Sequence, residues 1–167
     1  MSRIDSSYTH TSPNTLLCFI TFTVADSRLN DENSVGFLHR ELARLENVYG
    51  IRWVSWVIMP DHFHGLFETE QKHISSTLTQ LRFGISQRLN LQIRIKKCFW
   101  QSLVNDSQLC QNTSFQMNTY MHYISEAPVR AGLVTKSEYW PTQYSVFMNT
   151  SDIATKRTCK LEGHTAS

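Results

Sequence analysis

Leu16–Ala25, LLCFITFTVA, is the stretch that most narrows what this chain can fold into. Phe19, Thr21 and Thr23 lie on one parity, and Ile20, Phe22 and Val24 on the other. Strand side chains alternate between faces, so this apolar, β-branched run reads as a buried strand. Asn33 and Ser34 suit the N-cap of a helix over Val35–Tyr49, whose Val35, Leu38, Leu42, Leu45 and Val48 follow the three-and-four spacing. Gly50 suits its C-terminus. Ile51–Met59 and His62–Glu68 read as strands joined at the Pro60-Asp61 turn signal, hence a hairpin. Ile74–Leu89 is helical, with Leu78, Leu81, Ile85 and Leu89 on one face. Leu89–Lys96 fits a helix end and a short exposed strand equally, and Phe99–Val104 is a short apolar segment. Thr113–Glu126 is a further long helix with Met117, Met121 and Ile124 on one stripe, and Pro128 ends it or starts a separate turn. From Val134 the pattern is a loop and a Tyr-Trp-Pro-Thr turn. Strand–helix–strand–strand–helix with a hairpin predicts an α+β fold, a ferredoxin-like antiparallel sheet backed by helices.

The 167 residues suffice for one domain, expected over 15–147, with a loose polar arm over 1–14 and a polar tail over 148–167. Net charge is +2, which neither demands nor excludes a polyanionic partner. Its distribution says more. Gln71–Asn105 has no Asp or Glu, yet it holds Lys72, Arg82, Arg88, Arg94, Lys96 and Lys97. Such a segment can present a locally positive surface to phosphates, or its cations can be scattered around a helix and solvated. Cys18, Cys98, Cys110 and Cys159 form no C-x-x-C pair, which argues against a zinc ribbon. Met1–Pro13 lacks an apolar core, so no secretory signal is expected, and no apolar run approaches the roughly 20 residues of a membrane span. A cytoplasmic protein with no membrane partner is the default expectation.

Two local features could carry chemistry. In His62-Phe63-His64 the imidazoles project from one strand face and Phe63 from the other. Two neutral imidazoles make half of a divalent metal site, although two histidines on a solvent-facing strand give the same pattern. Asp61 could orient one imidazole or be an ordinary turn residue. The second feature is the run from Tyr123 to Val134. A tyrosine near a helix end usually packs by its ring, and Tyr120 and Tyr139 are chemically as good, so the residues alone do not single out Tyr123.

Trp56-Val57-Ile58-Met59-Pro60-Asp61-His62-Phe63-His64-Gly65-Leu66, with Tyr123…Ala127-Pro128-Val129-Arg130-Ala131-Gly132-Leu133-Val134, resembles the single-tyrosine transposases of the His-hydrophobic-His endonuclease superfamily. The likeness is to the branch associated with repetitive extragenic palindromes. That family's pattern is a strand of the form W-V-x-M-P-(N/D/E)-H-x-H-x-L, then a helix with Y-I-x-x-N-P-V-R-A-G-L-V. Cys18–Val24, Phe99-Trp100-Gln101 and Tyr139–Ser145 resemble smaller family segments, so the likeness runs from about Leu16 to Ser145.

The resemblance implies single-stranded or hairpin DNA as partner, Mg²⁺ or Mn²⁺ as cofactor, His62 and His64 as metal ligands and Tyr123 as nucleophile. The product would be a 5′-phosphotyrosine link and a free 3′-hydroxyl, in a monomer or a homodimer. Arg82, Arg88, Arg94, Lys96, Lys97 and Arg130 are the candidates for tracking the DNA backbone, although Arg130 could simply follow the helix end. Trp100 or Phe99 could stack on a base, core packing being the favoured reading for Trp100. One departure matters. The family commonly has Asn or Gln as third ligand where this chain has Ala127. Three readings stay open: Glu126 supplies a carboxylate, the two histidines with water and phosphate hold the metal, or cleavage is weakened. The rival functions are a DNA-binding protein of the same fold that no longer cuts, a replication nickase, and a zinc protein using H-x-H with Glu68 or Asp61.

Overall fold

The computed structural model describes residues 14–24, 29–89, 93–102 and 109–146, with backbone alone for 93, 97–102 and 109–116. The expected arm over 1–14 (but for Asn14) and the tail over 148–167 lie outside the described residues, as do the side chains of Lys97, Phe99 and Trp100. Along the chain come β1 (Thr15–Val24), α1 (Glu32–Tyr49), β2 (Arg52–Ile58), β3 (His62–Glu70), α2 (Gln71–Leu89), β4 (Ile93–Ser102), α3 (Leu109–Ser125), α4 (Ala127–Arg130), a 3-10 turn (Ser137–Tyr139) and β5 (Gln143–Ser145). The strands form one sheet in the order β4-β1-β3-β2-β5, and each neighbouring pair is antiparallel. The first four strands and their two helices are the β-α-β-β-α-β arrangement of ferredoxin-like folds, with β5 added beyond β2.

Each face of the sheet has its own core. On one, Cys18, Ile20, Phe22, Phe63 and Phe67 pack under Phe37, Leu38, Leu42 and Leu45 of α1 and Ile74, Leu81 and Ile85 of α2. On the other, Leu17, Phe19, Val54, Val57 and Leu66 pack under Met117, Met121 and Ile124 of α3. The predicted α3 stripe is therefore buried, each such side chain contributing about 1.5–3 kcal/mol relative to exposure. Both parities of β1 are covered, which is why apolar residues occupy both parities of that run.

Several boundaries differ from the sequence expectation. Helix α1 begins earlier, with Asp31 rather than Asn33 or Ser34 as N-cap. The Asp31 carboxylate accepts from the Ser34 backbone N–H at 2.9 Å. Hydrogen bonding from Ser34 also holds the Asp31 carboxyl below its ordinary titration range. At the other end Gly50 adopts φ 63°, the left-handed conformation that closes the helix. The ambiguous stretch after Leu89 becomes a strand: β4 spans Ile93–Ser102 along the free side of β1. Pro128 starts the separate turn α4, and a three-residue strand, β5, replaces part of the expected C-terminal loop. No helix among the described residues is long and apolar enough to cross a membrane.

Candidate active site

The β2–β3 hairpin turns through Met59, Pro60 and Asp61, and backbone bonds lock it in place. Met59 N–H donates to His62 O at 2.8 Å, Val24 N–H to Asp61 O at 2.8 Å and Leu29 N–H to Pro60 O at 2.9 Å. The histidines thus begin a strand whose starting point is anchored to the end of β1. Strand alternation turns Phe63 into the α1–α2 core and leaves His62, His64 and Leu66 on the α3 face. The two imidazole centroids lie 4.8 Å apart.

Each imidazole is oriented through Nδ1. His62 Nδ1 is 2.6 Å from Asp61 Oδ1, and His64 Nδ1 is 2.7 Å from Thr21 Oγ1. An ionised carboxylate only accepts, so it selects the His62 tautomer with the proton on Nδ1 and the lone pair on Nε2. The Thr21 hydroxyl selects the same tautomer in His64 when it accepts from Nδ1–H. The ligand atom on each ring would then be Nε2, the usual consequence of an oxygen acceptor behind a ligating histidine. Thr21 comes to this place because β1 pairs with β3 so that Thr21 is directly opposite His64. Sequence reasoning put Thr21 on a parity of β1 but had no signal for that register.

Tyr123 meets this pair from α3. Its ring centroid is 5.3 Å from that of His64 and 6.1 Å from that of Phe19. The Arg130 guanidinium lies over the same ring, 4.0 Å from its centroid, and the ring remains 41% exposed. The break between α3 and α4 makes that contact. Pro128 has no N–H to continue α3, the chain re-enters a helical turn at Ala127, and Arg130 comes back over the side chain seven positions earlier. Tyr120 instead stacks on Phe19 at 5.1 Å, and Tyr139 is an exposed residue of the 3-10 turn.

The remaining candidates separate by layer. Glu126 sits at the start of α4 with no side-chain capping bond, and Ala127 is buried in the core under α3. Among the described residues no three of His, Cys, Asp or Glu gather as a metal site, so Glu126 is not drawn into a cluster with His62 and His64. Glu68 shares the histidine face of β3 but is ion-paired with Arg52, its Oε2 accepting from Nε at 3.0 Å. Arg94 is directly opposite Thr23 on β1, and Thr23 is opposite His62. The backbone position of Lys97 is opposite Thr21, and Lys96 is the extra residue at a bulge in β4. Arg82 and Arg88 are exposed on α2, in the layer against the opposite face of the sheet. There the Arg88 guanidinium lies 5.7 Å from the Phe37 ring centroid.

No protein-family model matches the chain, and no curated protein sequence does. Among solved structures, the chain is similar to a tyrosine transposase associated with REP sequences, determined bound to a REP hairpin. The likeness has a TM-score of 0.57 at 18% identity and covers 86% of this chain and 82% of that one. The two chains share a fold. A candidate transposase from Deinococcus radiodurans also aligns, at 14% identity and TM-score 0.44, over 69% of this chain and 96% of that one.

Proposed function

We propose that this protein is a tyrosine transposase that cleaves and rejoins single-stranded DNA, with Tyr123 as nucleophile. The observation that carries the reading is the placement of the Tyr123 ring against His64, 5.3 Å between centroids, with the Arg130 guanidinium over the same tyrosine ring. The ring contact between Tyr123 and His64, two residues that the sequence resemblance singled out, supports this reading. The fold shared with a transposase supports the same class, and the hairpin bound by that protein points to hairpin DNA as the substrate to try first.

In this reading the Tyr123 oxygen attacks the scissile phosphorus and gives up its proton to solvent. The phosphodiester becomes a 5′-phosphotyrosine, and the strand before it leaves as a 3′-hydroxyl that takes up a proton. The link conserves the phosphodiester bond energy, so a second 3′-hydroxyl can displace the tyrosine and rejoin the strand without ATP. The donor set fits a hard divalent ion in part. Each of the two imidazoles has an oxygen within hydrogen-bond distance of its Nδ1, and no third His, Cys, Asp or Glu joins them among the described residues. His62 and His64 would hold Mg²⁺ or Mn²⁺, which when bound offsets negative charge on the phosphoryl oxygens. The arrangement favours completion by water and phosphate over completion by Glu126. Arg130 places a cation beside the same ring, where it can also meet a phosphate.

The decisive experiment is to incubate the protein with labelled hairpin DNA from the flanks of its own gene, with Mn²⁺ or Mg²⁺, and to separate products on a denaturing gel. A covalent adduct that needs the metal, with the DNA mapped by mass spectrometry to the peptide containing Tyr123, is expected. Binding with no adduct in either metal would favour the second reading, a DNA-binding protein of this fold that no longer cuts. Ala127, which has no donor atom where the resembling family has one, is the observation behind that alternative.

Thr21 provides a test of the histidine pair that does not depend on cleavage. Thr21→Val keeps the shape and removes the oxygen behind His64. It is expected to weaken Mn²⁺ binding about ten- to hundred-fold by calorimetry, whereas Thr21→Ser retains most of the affinity. Equal affinities for the valine and serine variants would mean that Thr21 does not orient the ligand.

A further inference from the structure

We infer that Thr23 and Arg94 form a phosphate subsite beside His62, on the β4 side of the sheet, which takes a backbone phosphate near the scissile bond; this rests on the DNA-processing reading above. Two pairings define the row. Arg94 is directly opposite Thr23, and Thr23 is directly opposite His62. Residues directly opposed in an antiparallel pair project from the same face, so all three belong to the face that carries the histidines. Neighbouring strands lie about 4.8 Å apart, which places the Arg94 and His62 backbones roughly 10 Å from each other. An extended arginine spans much of that distance, and a phosphate between the two would be within reach of both.

The row is open and positively biased. Arg94 is exposed, Thr23 is half-buried, and His62 keeps 25% of its side-chain surface. Among the described residues none pairs with the Arg94 guanidinium, and β4 is the last strand of the sheet on that side. Asp61, the carboxylate nearest in sequence to the histidines, is engaged by His62 Nδ1 at 2.6 Å. Arg130 lies over the Tyr123 ring, which itself faces His64. A strand of DNA that follows the row from Arg94 to His62 can therefore meet a cation at Arg94 as its neighbouring phosphate reaches the histidines. Arg82 and Arg88 stand on the helix layer behind the sheet and are not part of this track. The Thr23 hydroxyl, between Arg94 and His62, is placed to donate to the same phosphate.

The subsite is tested by fluorescence anisotropy with a labelled single-stranded hairpin oligonucleotide in EDTA, where no cleavage is expected. Arg94→Gln is expected to weaken binding about tenfold, as loss of one charge-assisted phosphate contact does. The slope of log affinity against log salt should become shallower by about 0.7, the value for one phosphate on a single strand. Arg94→Lys should restore the slope, and Arg40→Gln, on exposed surface of α1, should change neither quantity. A single methylphosphonate near the nucleotide that joins Tyr123 should cost the wild type the same factor and cost Arg94→Gln nothing. An unchanged salt slope in Arg94→Gln, with wild-type binding intact, would overturn the subsite alone. Failure of the wild type to bind single-stranded DNA at all would overturn the DNA-processing reading, and the subsite with it.

Discussion

Tyr123→Phe is expected to abolish the covalent DNA adduct while leaving the fold and metal-free DNA binding unchanged. The substitution removes one oxygen from a side chain that is 41% exposed, and surface changes of that size usually alter stability by no more than about 0.5 kcal/mol. The phenyl ring can keep its contacts with His64 and Phe19, and the Arg130 guanidinium can still lie over its face. What disappears is the only atom of that residue able to attack phosphorus, so the expected loss of adduct is to background. Tyr120→Phe is the matched comparison. Tyr120 is one turn earlier on α3 and its ring stacks on Phe19, whereas it is the Tyr123 ring that faces His64 at 5.3 Å, so adduct formation should persist. Both variants would be followed by denaturing gel, with thermal unfolding as the control for folding. Full adduct formation by Tyr123→Phe, or its loss in Tyr120→Phe alone, would reassign the nucleophile.

Gly65→Ala is expected to be the most damaging single methyl group in the sheet. A Cβ at Gly65 would lie 2.6 Å from Cε1 of Phe63 and 2.8 Å from Cζ3 of Trp53. Both contacts are well inside van der Waals distance, and both rings are buried. Phe63 is wedged between Phe22, 4.9 Å away between centroids, and Trp53, 5.9 Å away and edge-on. Trp53 is tethered in turn by its indole N–H, which donates to the Leu42 carbonyl at 3.0 Å. Neither ring can yield without disturbing the core between the sheet and α1. Overpacking of this kind costs about 1–3 kcal/mol, and the upper part of that range is expected here. The midpoint of urea unfolding should fall with little change in slope. Because Gly65 follows His64 directly, adduct formation should drop as well. An unchanged midpoint would mean that the aromatic cluster has slack that these distances do not show.

Most of the architecture could be read from local pattern. The helices α1, α2 and α3 and the strands β1, β2 and β3 carry their periodicity within their own residues, so each was legible without knowing what it packs against. The exceptions share a cause. Leu89–Lys96 alternates in a way that suits two conformations, and pairing with β1 decides for strand. The three residues of β5 are a strand only because β2 offers them an edge. Asp31 outcompetes Asn33 and Ser34 as the cap because the chain entering α1 is extended at that residue, φ −84° and ψ 149°.

The candidate site divides along the same line. The sequence alone determined that His62 and His64 share a face, since strand alternation has a period of two and nothing distant can alter it. Its likeness to the transposase motifs was also enough to single out Tyr123. Only the tertiary structure could place that tyrosine against His64, put Thr21 behind the imidazole 43 residues later in the chain, and set Arg94 in line with His62 while leaving Arg82 and Arg88 in another layer. Those relations depend on strand register and helix packing, and register is settled by which faces are buried across the whole sheet, where a shift of one residue would turn every side chain to the other side.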